Sequence, residues 1–363
     1  MARKFGETEM APRTAAYFEK LSQGKFDLDW FENTKTEWGV RVQPTKRGVL
    51  LNDINVGSYG EVPEHSLPGT GMAPRGAELD ADLPSLGYRL NNKYEVWSVN
   101  AASLYEEAKT RQWNATTDIP WHELRQLPED LERAMCQVCT LLTEVEFIAA
   151  DLPAKWMHQI HQNYHEVKCF LASQVIDEAR HLEVFRKRAL VNGGGLMRAT
   201  KEAEDALQAI IEAPTYSMAS SFMHVLGEGM VLSLFRAGEL IGKTDVDKRI
   251  FRMCMQDEAR HVSYGTMHLK YYLENHPNPR AAREEVNHIL SKGEGMMLAM
   301  FGVPEFLEPL MILAGGGIEG MKDAKPAVGG IWQKMVHEYF GRCDRAGVSE
   351  RRQLCRLPAQ LPM

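Results

Sequence analysis

The pentapeptide Asp-Glu-Ala-Arg-His stands at Asp177–His181 and again at Asp257–His261, each time inside a stretch of helical periodicity. Each copy sets a Glu three residues before a His: Glu178 with His181, and Glu258 with His261. On a helix such positions are about 300° apart and ~4.5 Å along the axis, so both side chains leave one face. A single Glu-x-x-His is usually a solvated charge pattern. Two identical copies 80 residues apart are hard to reach by accident, and each follows an apolar helix carrying a lone acid. Glu146 lies 32 residues before Glu178, and Glu228 lies 30 before Glu258. A Glu from each of two helices, with Glu-x-x-His from each of two others, is the ligand set of a carboxylate-bridged metal pair inside a four-helix bundle.

Charge points the same way. Four carboxylates buried together repel, and most would take up protons unless cations lay between them. Two divalent ions would balance them, with neutral imidazoles completing the set. Mixed oxygen and nitrogen ligands with open positions suit iron or manganese. Zinc favours fewer ligands and often sulfur, whereas magnesium and calcium take oxygen alone. The expected cofactor is two iron ions, with manganese open at one site, and O2 is the expected co-substrate because iron can activate it.

Individual residues carry this expectation unevenly. Glu228 sits in His224-Val-Leu-Gly-Glu-Gly-Met-Val-Leu, where an unpartnered carboxylate would be costly. The first half offers both Glu144 and Glu146, about 200° apart on a helix, so only one can face the metals. Glu146 is preferred for its spacing and for sharing a face with Val138, Cys139, Leu142 and Ala149. A metal-bound imidazole usually donates its other N–H to a carboxylate. Asp177 and Asp257 suit that role, each reaching the His of the opposite half, with Arg180 and Arg260 pairing the aspartates; the plain alternative is a set of surface ion pairs. Residues one or two turns from Glu146 and Glu228 should line an adjoining pocket: Cys139, Leu142 and Thr143, and His224, Val231, Leu232 and Phe235. His158, His161 and His165 lie too far along their helix to share the metals, and a surface or helix-start role is expected.

The 363 residues are 44% hydrophobic, enough for a large core in one or two domains. A net charge of −7 argues against nucleic acid as a partner. No run of eighteen apolar residues and no signal-peptide core appear, so a cytoplasmic protein with no membrane partner is expected. Six scattered cysteines fit a reducing compartment, and Cys136-Gln-Val-Cys139, inside an apolar helical run, reads as core rather than a zinc or redox motif.

Three regions follow from composition. Residues 1–98 are Gly- and Pro-rich and read as an irregular arm, with room for short strands, wrapped over the bundle. Residues 99–275 hold the bundle. Its helices are expected at about Trp121–Ala150, broken at Pro153, then Ala154–Val191, a bridging helix near Ala199–Glu212, Tyr216–Gly242 and Thr244–Asn275. Residues 276–363 read as accessory helices interrupted at Gly315-Gly-Gly317 and Gly329-Gly330, ending in a loose basic tail.

From Trp121 to Leu273 the chain resembles the ferritin-like di-iron carboxylate superfamily. The resemblance implies a mostly α, ferritin-like four-helix bundle, dioxygen binding at the reduced metal pair, and often a homodimer. The departures select among branches. Length beyond one bundle weakens an iron-storage reading. Phe185 stands where the radical-generating subunit of ribonucleotide reductase has a Tyr. Leu232 replaces the Thr of the bacterial multicomponent hydroxylases. Cys254, counted here with the pocket, replaces the third His of the p-aminobenzoate N-oxygenase type, which is closer in size.

The expected activity is that of an O2-dependent oxidoreductase, a monooxygenase or oxidase acting on a small organic molecule. N-oxygenation of an amine and C–H or aromatic hydroxylation both stay open, with a slight lean to the former on size. No flavin or nicotinamide fingerprint is visible, so electrons should come from an external ferredoxin or reductase. A ferroxidase and a vestigial helical protein are the alternatives.

Overall fold

The structure, a computed structural model, describes residues 11–361 apart from 36, 69–70 and 81–82. Residues 11–98 contain two short helices, α1 (Pro12–Ser22) and α2 (Asp29–Glu32), with 3-10 turns between extended segments. Among the described residues this region has isolated bridges, not strands: His65 pairs with Asn92, and Leu90 with Ile160. It is fastened to the bundle by a buried clamp. Arg75 donates to Glu166 (2.5 Å), to Asn55 Oδ1 (2.8 Å) and to the backbone of Asn163 and Tyr59.

Helix α3 (Ala101–Thr110) then packs across α5 and α9, defined below. Two helical hairpins form the centre. The first is α4 (Glu129–Met157) with α5 (His165–Val191); α6 (Lys201–Ile211) bridges to the second. That hairpin begins with a continuous helical run of α7 (Tyr216–Ser220), a π turn (Ser221–Gly227) and α8 (Glu228–Ile241), and returns as α9 (Asp245–Asn275). Threonine caps mark three of the starts: Thr200, Thr215 and Thr244 each accept a backbone N–H two or three residues inside their helix. Thr244 and Asp247 complete a reciprocal capping box, which lets a three-residue turn reverse the chain.

The run Tyr216–Ile241 is long and apolar enough to cross a membrane, yet its apolar window is wholly buried inside the protein. It is the core helix of the bundle.

Three expected boundaries move. Helix α4 starts at Glu129, not Trp121, because Pro128 stops any earlier helix and the acids Glu129, Asp130 and Glu132 suit a helix N-terminus. It also runs straight through Pro153. Proline there forfeits one hydrogen bond in the last turns, and burial of Leu152, Pro153 and Trp156 against the neighbouring helices outweighs the loss. As a result α5 starts at His165 rather than Ala154. His161 is buried and takes the helix-start role of the two expected: its Nδ1 accepts the Asn163 N–H at the turn that leads into α5.

The C-terminal region departs further. Helix α10 (Pro279–Phe301) is followed by α11 (Pro304–Gly315), which ends at Gly316 and Gly317, both with positive φ. Helix α12 (Lys325–Ala346) contains Gly329-Gly330 without interruption. The tail is not loose up to Leu361. In α13 (Arg351–Leu354), Arg351 is fully buried against Glu294 of α10 (2.5 Å), whose other oxygen accepts the Tyr339 hydroxyl (2.7 Å).

Candidate metal centre

Helices α4, α5, α8 and α9 each turn one acid, and α5 and α9 one imidazole as well, into the middle of the bundle. Glu146, Glu178, His181, Glu228, Glu258 and His261 are all 3% exposed or less. They form two overlapping sets whose ligand atoms lie within 4.8 Å of one another: Glu146, Glu178, His181 and Glu258, and then Glu178, Glu228, Glu258 and His261. Glu178 and Glu258 belong to both.

The distances explain the sharing. Glu178 Oε2 lies 3.0 Å from His181 Nδ1, and its Oε1 lies 2.9 Å from His261 Nδ1. Glu258 Oε1 is 3.2 Å from His181 Nδ1, and its Oε2 is 3.5 Å from His261 Nδ1. Each motif carboxylate thus spans both imidazoles, as a bridging ligand must. Glu146 and Glu228 lie at the two ends, each in one set only.

Both rings point Nδ1 inward because their Nε2 atoms are engaged on the other side. His181 Nε2 donates to Asp257 Oδ2 (3.2 Å) and His261 Nε2 to Asp177 Oδ2 (3.3 Å), each crossing to the opposite hairpin. In the neutral ring this hydrogen bond selects the tautomer that leaves the lone pair on Nδ1. Arg260 binds both aspartates, at 2.8 Å to Asp177 and 2.6 Å to Asp257. Arg180 does the same, contacting Asp177 and lying 3.1 Å from Asp257. Trp113, in the connection between α3 and α4, donates its indole N–H to Asp257 (2.7 Å) and stacks on His181.

The residues fit a pair of cations. Glu146 Oε1 and Glu228 Oε2 are buried without a hydrogen-bond partner, and the inward oxygens of Glu178 and Glu258 meet only the two imidazoles, an excess of buried acceptors that calls for a ligand. Their titration tells the same story. Burial, together with Glu178 beside Glu146 and Glu258 beside Glu228, holds both end carboxyls well above the ordinary range. Burial opposes charge on the imidazoles, yet Cys254 and Asp257 around His181, and Glu178 and Asp177 around His261, hold both well above theirs. All four shifts favour the protonated form of these groups.

Glu144 faces the other way, toward Glu204 of α6; burial and that like charge push it up to about 7. The structure thus places Glu146, and not Glu144, in the cluster.

The second hairpin holds its end carboxylate with additional parts. The π turn ends at Glu228, and Arg342 of α12 donates from Nε to the Val225 carbonyl inside it (2.8 Å). Two glycines make this packing possible. A Cβ on Gly229 would lie 2.3 Å from Arg342 Nε, and one on Gly265 of α9 would lie 2.1 Å from His224 Cβ. π turns recur at functional sites because the extra residue re-aims a side chain.

The expected pocket residues scatter. Val231 lines an apolar cavity of about 30 Å³ together with Val145, Ile148, Met223, Met297 and Phe301, with Glu228 as its one charged wall. Phe235 packs edge-on against His181, and Cys254 adjoins the same ring. His224 is fully buried; burial and the nearby His261 push it down to about 3, so it is neutral. Leu142 and Cys139 are fully buried, and the Thr143 hydroxyl is spent on the Cys139 carbonyl (2.7 Å); none of the three lines the cavity. Leu232 is only half-buried and does not line it either. The helical faces of α4 and α8 could not show that α6 and α10 supply the rest of its wall.

The sequence matches no protein-family model, and no curated protein matches it. Solved structures do match. An R2-like ligand-binding oxidase with an aerobically reconstituted metal cofactor, after photoconversion, superposes with a TM-score of 0.55 at 15% identity, covering 69% of this chain and 95% of that one. An R2-like ligand-binding oxidase with an aerobically reconstituted Mn/Fe cofactor gives 0.52 at 15% identity, covering 69% and 93%. The fold is that of the ferritin-like bundles, and the chain is mostly helical with no strand among the described residues.

Proposed function

We propose that this chain is an O2-dependent oxidoreductase built on a dinuclear metal centre. Glu146, Glu178, His181 and Glu258 would hold one ion, and Glu178, Glu228, Glu258 and His261 the other. The observation that carries the reading is the pair of overlapping ligand sets sharing Glu178 and Glu258. Two iron ions are the proposed cofactor, with manganese acceptable at one position; one of the structural neighbours is an oxidase with an Mn/Fe cofactor. When bound, the metals supply Lewis acidity and the electrons with which O2 is activated.

The chain's own groups set the conditions for that chemistry. Asp177 and Asp257 hold the imidazole N–H groups and so keep Nδ1 basic. Arg180 and Arg260 neutralise those aspartates, which leaves the cluster's negative charge for the metals alone. The aliphatic and Met wall beside Glu228 excludes bulk water and presents hydrocarbon, not charge. At about 30 Å³ the cavity accepts a water-sized group, and Met223, Met297 and Met300 are the flexible side chains whose movement would enlarge it. This wall favours oxidation of a hydrocarbon portion of a small molecule over N-oxygenation of a charged amine. Electrons for further turnovers would come from an external ferredoxin or reductase.

The test is anaerobic loading with ferrous iron followed by O2 from a calibrated solution. A single uptake of about one O2 per centre, followed by turnover only with a reductant and an apolar organic compound, supports the reading. Continuous oxidation of added ferrous iron, indifferent to any organic compound, would establish the ferroxidase instead.

A further inference from the structure

The two end carboxylates occupy equivalent positions in the two hairpins but are held differently. Glu228 Oε1 accepts a hydrogen bond from Gln174 Nε2 (2.9 Å). Gln174 Oε1 in turn accepts from His224 Nε2 (3.2 Å), and His224 Nδ1 accepts from the Ser220 hydroxyl (2.8 Å). All four side chains are 3% exposed or less, and every donor in the chain points toward Glu228. Such a series polarises its last bond and holds the acceptor in one orientation. Only Oε2 of Glu228 remains unpartnered.

The first hairpin has no such chain. Gln174 is one turn before Glu178, and the matching residue before Glu258 is Cys254. His224 is one turn before Glu228, and the matching residue before Glu146 is Leu142. Neither Leu nor Cys can stand in for this amide and imidazole. Glu146 Oε1 has no hydrogen-bond partner, and its Oε2 lies 3.9 Å from His181 Nδ1.

We propose that Ser220, His224 and Gln174 are positioning residues that restrict Glu228 to binding a metal through Oε2 alone, so that the Glu228–His261 position keeps room for one further small ligand. Glu146 meets only Glu178 and His181, themselves members of the cluster, and with no such chain behind it can bind through either oxygen or both. The two metal positions are then inequivalent, and the one that adjoins the apolar cavity is the one left open. This rests on the dinuclear reading above.

The test uses the full chain loaded with cobalt(II), whose visible absorption weakens as coordination number rises, and azide as the small-ligand probe. Gln174→Met keeps the side chain's shape and removes its donor. Loss of the donor frees Oε1 to chelate and fill the open position. The expected result is unchanged cobalt content, a weaker cobalt band, and azide affinity lower by about tenfold. Ser220→Ala, which removes only the far end of the chain, should give a smaller shift in the same direction, and it decides the question if Gln174→Met does not fold. Wild-type spectra and azide affinity in both variants would overturn the proposal alone. A wild-type protein that takes up no cobalt would overturn the dinuclear reading as well.

Discussion

The hairpins α4–α5 and α8–α9 bring matching candidate ligands to matching positions, but the end carboxylate of the second is tied to more of the chain than that of the first. Glu146 projects from an uninterrupted α-helix. Glu228 closes a π turn propped by Arg342 of α12, packed against Gly265, and tied through Gln174 to the opposite hairpin. Ligand identity is thus a local property of the helix sequence, whereas ligand freedom is decided by what distant helices bring. The C-terminal region takes part in the site through the Arg342 guanidinium and through the α10 side chains that wall the cavity beside Glu228.

The distinction between shared and end carboxylates can be broken by metal analysis. Glu178→Ala or Glu258→Ala should cost both metals after anaerobic iron loading, while Glu146→Ala or Glu228→Ala should cost about one of the two. Equal losses at all four positions would mean that none is shared.

A second, smaller effect concerns protons. Glu146, Glu228 and both imidazoles are all shifted toward their protonated forms, so metal loading near pH 7 should release protons, read in a pH-stat. Protons compete with metal for the same atoms, so apparent affinity should rise with pH. Glu146→Gln and Glu228→Gln should each lower the release by about one. A release near zero would mean that the cluster is not filled with protons before metal arrives.

The prop under the π turn gives a one-sided effect. Arg342→Met removes the donor to the Val225 carbonyl and should destabilise the protein by about 1–3 kcal/mol in urea unfolding. Metal loss should be confined to the Glu228 position, leaving about one iron per chain. Loss of both irons would make α12 a general support and not a support of one half.

The smallest effect separates Glu144 from Glu146. A carboxyl raised to about 7 stabilises the fold fully below its ordinary value of 4.5 and loses that contribution as pH climbs through 7. Glu144→Gln should therefore melt a few degrees higher at pH 8, unchanged at pH 4, with its metal content intact. A loss of metal from this variant would put the wrong acid in the cluster.

Much of this was legible because it repeats. The two Asp-Glu-Ala-Arg-His copies and their upstream acids identify the bundle's four helices, and the crossing of Asp177 and Asp257 to the opposite His follows from a pseudo-twofold arrangement. What breaks the symmetry was not legible. Pro153 reads as a stop, yet tertiary burial carries α4 through it. The π turn leaves no propensity signal, since Ser221–Gly227 looks like any apolar helix. Gln174 and Trp113 gain meaning only from partners 54 and 144 residues away. One signal for Gln174 was present: an uncharged amide one turn before Glu178, where the second motif has Cys254.

Anomalous diffraction at the iron edge, from crystals of protein loaded with ferrous iron, tests the dinuclear centre most directly. Two peaks should appear inside the bundle, one beside Glu146 and His181 and the other beside Glu228 and His261, with Glu178 and Glu258 between them. A single peak, or no peak among these six side chains in protein that nonetheless carries iron, would contradict it.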